Sequence, residues 1–170
     1  GISMRRVLHV GPCNTPGGMA KVIEILSQNP PNDWRADILD SHSKGNVFAK
    51  LLAWRKAQTY LKNHGKEFDI IHIHSAAGWS YRRKLSLARI AIKQKTQVVF
   101  HIHSGQFDKF AKQRKNIRDE LKSVNIVVLS NYWQEKLQPI IGDCLVIENP
   151  IDPKITIDDS ISRKAKQLLL

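Results

Sequence analysis

The sequence predicts an α/β protein: a Rossmann-like, doubly wound parallel sheet with helices on both faces. Three observations carry that expectation. Short β-branched runs alternate with helix-periodic segments along the chain. The strand cores are almost wholly apolar, as in strands buried on both faces of a parallel sheet. Parallel neighbours in turn need helical, right-handed crossovers.

The elements follow in order. Arg6–Val10 is a β-branched run stopped by Gly11-Pro12, hence a strand and a turn. Met19, Val22, Ile23 and Leu26 recur at helical spacing within Gly17–Gln28, and Pro30-Pro31 ends that helix. Arg35–Asp40 reads as the second strand, and Val47–Asn63 as a helix through Phe48, Leu51, Leu52 and Ala57. Phe68–Ile73 is the third strand. Residues 79–94 form a helix that mixes Leu and Ile with Arg and Lys. Gln97–Ile102 is the fourth strand, and Phe107–Lys122 reads as one strongly basic helix. Asn125–Leu129, Tyr132–Ile140 and Cys144–Ile147 complete the alternation as strand, helix and strand.

The chain has 170 residues, the size of one domain, and 42% of them are apolar. A core of that size needs no disulfide or metal staple. Two widely spaced cysteines, Cys13 and Cys144, make no disulfide framework and point to a reducing, cytoplasmic setting. No apolar run reaches the roughly 20 residues of a membrane-spanning helix. Gly1-Ile2-Ser3 ahead of Met4 reads as a cloning scar. The net charge of +12 favours an anionic partner. Arg82 to Lys122 holds 12 basic and three acidic residues, so one middle region carries most of that charge. A nucleic-acid module would need basic residues interleaved with aromatics, and aromatics are only 7%.

In such sheets ligands sit beyond the carboxyl ends of the strands. The loop Gly11–Gly18 lies at one such end; its glycines permit close approach, and free N–H groups at a helix start favour an anion. It matches neither G-x-G-x-x-G nor a triphosphate P-loop. His72-Ile73-His74-Ser75 and His101-Ile102-His103-Ser104 close two strands with the same tetrapeptide. Alternation puts both histidines of each pair on one face. Three readings stand open for them: acid–base or hydrogen-bonding chemistry, zinc ligation, and satisfied core histidines. No nearby Cys or carboxylate has ligand-like spacing, which weighs against zinc. The later histidine of each pair, His74 or His103, lies nearer the rim. Arg82-Arg83-Lys84 opens a helix against its dipole, and two readings stand open: a solvated basic turn, or a site for a phosphate or lipid head group. The basic helix from Lys109 to Lys122, led by Phe107 and Phe110, reads as either a solvated face or a seat on an anionic bilayer. Glu24, Asp108 and Glu120 stand apart, so no pair of carboxylates for glycoside hydrolysis is evident.

Taken in order, RVLHVGPCNTPGGMAKV, FDIIHIHSA, SYRRK, VVFHIHSGQF, IVVLSNYW and CLVIENPID resemble the N-terminal half of family 4 glycosyltransferases. The likeness is to bacterial polysaccharide-assembly members with an HIHG-type motif, and it runs from about Arg5 to Asp152. It implies one half of a GT-B enzyme, in which two Rossmann-like domains face each other across a cleft. Such an enzyme moves a sugar from a nucleotide-sugar to a polysaccharide or lipid-diphosphate acceptor, with retention and with neither metal nor cofactor. By the same resemblance Gly17 and Gly18 lie near the donor phosphates, and His103 is the active-site histidine. His74, Ser75 and Ser104 then line the acceptor side, and Arg82, Arg83 and Lys84 meet acceptor phosphate or the inner membrane surface. Ser104 stands where the family often has Asp. Residues 4–152 form the N-terminal domain in this reading, 153–165 a linker, and 166–170 the start of a donor-binding domain.

Overall fold

The computed structural model describes residues 4–13 and 16–148; the proposed scar, linker and second-domain start lie outside them. Six strands form one all-parallel sheet: β1 (Arg5–Gly11), β2 (Trp34–Asp40), β3 (Ile70–Ser75), β4 (Gln97–Ile102), β5 (Asn125–Val128) and β6 (Cys144–Val146). Their spatial order is β2-β1-β3-β4-β5-β6. The helices are α1 (Gly18–Gln28), α2 (Val47–His64), α3 (Trp79–Lys93), α4 (Phe107–Gln113), α5 (Ile117–Glu120) and α6 (Asn131–Ile141). This is the Rossmann-like doubly wound fold expected from the alternation. Among the described residues, no helix is long and apolar enough to cross a membrane.

The two sheet faces differ. Leu8, Val10, Ile71, Ile73, Val98, Phe100, Ile102, Ile126 and Val128 point to one face, where α2 to α6 bury them in the main core. Tyr81 of α3 meets Phe100 edge-on at 5.8 Å, and both are fully buried. The other face starts apolar at the amino end, with Val7, Ile70, Val99 and Val127 beside Trp34. Towards the carboxyl end that row turns to imidazole. Helix α1 lies on this face: a Cβ added to Gly11 would stand 2.6 Å from Ile23 Cδ1 and 3.3 Å from His74 Cβ. Gly11 is therefore required by close packing.

The basic helix expected over Phe107–Lys122 is two short helices. Arg114 adopts an extended backbone at the end of α4. Its guanidinium turns back to Glu120, with bonds of 2.7 and 2.8 Å, and lies 5.2 Å from the Tyr81 ring. Glu120 also accepts from the Tyr81 hydroxyl at 3.1 Å. A bidentate, charge-assisted pair of this kind outweighs one more turn of α-helix. Phe107 is fully buried and Phe110 packs 5.2 Å from Tyr81. The two aromatics that lead this segment therefore face the core and are not part of an exposed basic stripe.

Phe100→Ala removes the ring that joins α3 to the middle of the sheet. The expected loss is about 3–5 kcal/mol, read as a lower urea midpoint at unchanged slope.

Candidate functional site

Strand order reverses between β1 and β3, the place where open α/β sheets bind ligands. The register there is specific. His9 pairs with His72, and His74 pairs with His101. Parallel partners share a face, so three strands bring His9, His72, His74, His101 and His103 together. His72 and His74 stack at 4.3 Å, only 3° from parallel, and the His101 and His103 rings stand 4.2 Å apart.

Hydrogen bonds divide the cluster in two. His9 Nδ1 faces His74 Nε2 at 3.2 Å, and His74 Nδ1 faces His103 Nε2 at 2.9 Å. His72 Nε2 faces His101 Nδ1 at 3.0 Å. A neutral imidazole has one N–H, so donation along the three-ring chain runs in a single direction. Nε2 of His101 is buried and lacks a partner among the described residues.

Burial sets the charge state. It lowers His9 to a pKa of about 4, and His103 to about 4 with help from the Lys84 charge. His72, His74 and His101 fall well below the ordinary value, first through burial and then through mutual repulsion. At neutral pH the cluster is uncharged and serves as a hydrogen-bonding array.

Lys84 supplies the cation. Its side chain is 4% exposed, and burial lowers its pKa to about 8, with Arg83 adding and Asp40 opposing. No carboxylate among the described residues lies within 4.0 Å of its ammonium. Its charge is felt at Cys13, His42 and His103, which follow β1, β2 and β4 at their carboxyl ends. Asp40 Oδ1 accepts from the backbone N–H of Cys13 and of His42 and so holds two rim loops. The Cys13 thiol is pushed up to about 11 by burial and then by Asp40, so it is no nucleophile at neutral pH.

The expected site residues separate. His103 is at the rim and half-buried, one row beyond His101. His74 is fully buried beneath it, because β3 runs on through Ser75; it supports the rim without lining it. The Ser75 hydroxyl donates to Ala76 O at 2.8 Å, and its carbonyl accepts from His103 N at 2.9 Å. The Ser104 hydroxyl accepts from Gln106 N at 3.1 Å in the turn that starts α4. The Ser75 hydroxyl is thus committed to local geometry, while the Ser104 O–H remains free to donate. The Arg82-Arg83-Lys84 cluster also divides: Arg82 is exposed and stacks 4.9 Å from the Trp79 ring, and Lys84 turns inward. Gly17 has φ 141°, a value that favours glycine, and a Cβ on Gly17 or Gly18 would meet nothing within 4 Å. Their backbone lies open at the start of α1, where Gly17 lines a groove of about 570 Å³ on the β2 side. Another groove, about 450 Å³ between Leu121 and Cys144, lies at the amino edge, away from the histidines.

Sequence reasoning missed His9. Its signal was alternation: it precedes Gly11 by two residues, as His72 precedes His74, but only the β1–β3 pairing turns that into a contact.

No family model matches the chain, and no curated protein matches it. Among solved structures, the chain is similar to a pilus assembly-related protein from Burkholderia pseudomallei. The TM-score is 0.45 at 13% identity, over 98% of this chain and 93% of that one.

The cluster makes stability depend on pH. His9 and His103 have folded pKa values of about 4, against an ordinary 6.5. The unfolded chain therefore binds protons first as pH falls. The contribution of these two groups is level above about 6.5 and is lost between 6.5 and 4, on the order of 3 kcal/mol for each. Urea midpoints measured with a chelator present should fall steadily across that window; a flat profile would contradict a neutral buried cluster.

Proposed function

We propose that the chain is the acceptor-side half of a retaining glycosyltransferase of the two-domain GT-B type. One observation carries the reading. A neutral His103 has one ring nitrogen on His74 at 2.9 Å, while its Nδ1 has no partner among the described residues. It stands at the carboxyl edge, near the reversal in strand order and within the field of Lys84.

The chemistry follows from that placement. Sugar transfer builds negative charge on a leaving diphosphate. The open backbone of Gly17 and Gly18 at the start of α1 suits diphosphate oxygens. Lys84, desolvated and without a carboxylate partner, adds a fixed positive charge for the diphosphate or an acceptor phosphate. His103 Nδ1 directs a hydroxyl of the transferred sugar or the acceptor, and the His9–His74–His103 chain holds its ring in place. The role first given to all of Arg82, Arg83 and Lys84 falls chiefly to Lys84. Most of the remaining donor contacts belong to the second domain.

The membrane-facing surface moves to the start of α2. Val47, Phe48, Leu51 and Leu52 are exposed there, at 83, 70, 41 and 47%. Trp79, 71% exposed, begins α3 at the same level, because Trp54 Nε1 donates to Ser86 Oγ at 2.8 Å where the two helices pack. Exposed Lys44, Lys50 and Arg82 flank this patch. An apolar wedge with a basic rim suits an anionic bilayer that carries a lipid-linked acceptor.

In the full-length enzyme, His103→Ala should lower kcat roughly 100-fold with thermal stability retained. Near wild-type turnover would refute the assignment. Residues 1–170 by themselves should transfer no sugar. In flotation assays the chain should bind phosphatidylglycerol vesicles in a salt-sensitive way, and Phe48→Ser with Leu52→Ser should abolish binding. Binding to neutral vesicles, or binding indifferent to both substitutions, would exclude this surface.

A further inference from the structure

We propose that His74, His101 and His103 form a binding site for a divalent metal ion of the zinc class, supported from behind by His9 and His72. This goes beyond the transferase reading and does not depend on it; in the metal-bound state the ion takes the place of the His74–His103 hydrogen bond in holding the His103 ring. One nitrogen from each of the three rings lies within 4.8 Å of the others. His74 Nδ1 and His103 Nε2 already face each other at 2.9 Å. Tetrahedral ligation with bonds of about 2.0–2.1 Å needs nitrogens roughly 3.3 Å apart, so this pair has only to open slightly.

His101 gives the independent observation. It is 1% exposed, and its Nε2 has no hydrogen-bond partner among the described residues. A buried nitrogen without a partner is costly, and it lies in a ring 4.2 Å from that of His103. A metal ion would satisfy it.

The remaining nitrogens explain why there are five rings. A metal-binding imidazole usually has its second nitrogen held by an outer group. Nε2 of His74 is held by His9 at 3.2 Å, and Nδ1 of His101 by His72 at 3.0 Å. Three ligands and two supports account for every cluster member, and His103 Nδ1 keeps no partner among the described residues. Imidazole ligands suit zinc, copper and nickel better than magnesium or calcium. Three neutral ligands leave the ion with its full charge. The fourth position, on the His103 side, would therefore take an anionic oxygen from phosphate or carboxylate.

The test uses the untagged 170-residue chain, stripped with chelator and titrated with Zn²⁺ against a fluorescent zinc indicator. The chain has seven histidines, so His42 and His64 serve as controls outside the cluster. We expect one zinc per chain, retained through desalting, and a zinc-dependent rise in Tm. His103→Ala should weaken binding at least tenfold, and so should His101→Gln. Since His101 is fully buried, the half-buried His103 carries the test, with folding followed by circular dichroism. The paired change His42→Ala, His64→Ala should leave affinity intact. Absence of zinc retention and of a Tm rise, unchanged affinity in folded His103→Ala, or loss of binding in the His42/His64 control would each overturn the proposal.

Discussion

The constraint on which the site depends is the parallel register of β1, β3 and β4. His9 lies opposite His72, and His74 opposite His101. A slip of one residue in β3 would send His72 and His74 into the apolar core and bring Ile71 and Ile73 to the other face. The main core forbids that slip, because Leu8, Val10, Ile71, Ile73, Phe100 and Ile102 must all meet α2 to α6. The burial that specifies the fold thus also assembles the imidazoles. Gly11 completes the arrangement by leaving room for both α1 and His74.

Burial then governs the chemistry. Five imidazoles on a wet surface would be partly charged near neutrality and would repel one another. Removed from water they are neutral and can donate to and accept from each other. Lys84 is the complementary case: it keeps a cation in a place where Asp40 acts on it only from a distance and no described carboxylate pairs with it. The site therefore joins an uncharged hydrogen-bonding array to one desolvated positive charge. On the transferase reading we propose, that combination meets a polyhydroxylated substrate with a phosphate attached.

Most of the fold was legible in the sequence because strand and helix periods are local signals. The runs Arg6–Val10, Phe68–Ile73 and Gln97–Ile102 name their own strands, and Gly11 and Pro30 punctuate them. The break near Arg114 was not legible. It follows from a tertiary ion pair with Glu120 that outcompetes local helix propensity. The His-x-His repeats pointed to the right edge of the sheet, yet they concealed depth: His74 sits a full row below His103. His9 and the inward turn of Lys84 needed strand order and helix placement, which spacing alone does not encode. Ser75 and Ser104 look like ligand groups in a motif; the Ser75 hydroxyl donates to the neighbouring backbone, whereas the Ser104 hydroxyl accepts from Gln106 N and keeps its own O–H.

The central claim is that five imidazoles form one buried, neutral cluster, hydrogen-bonded as a three-ring chain and a separate pair. Nitrogen-detected NMR of the ¹⁵N-histidine-labelled, metal-free chain tests it most directly. Five rings should hold neutral nitrogen shifts from pH 8 down to 5.5, with scalar coupling across the His74–His103 bond. Cluster rings that titrate near 6.5, with no coupling between them, would contradict the account.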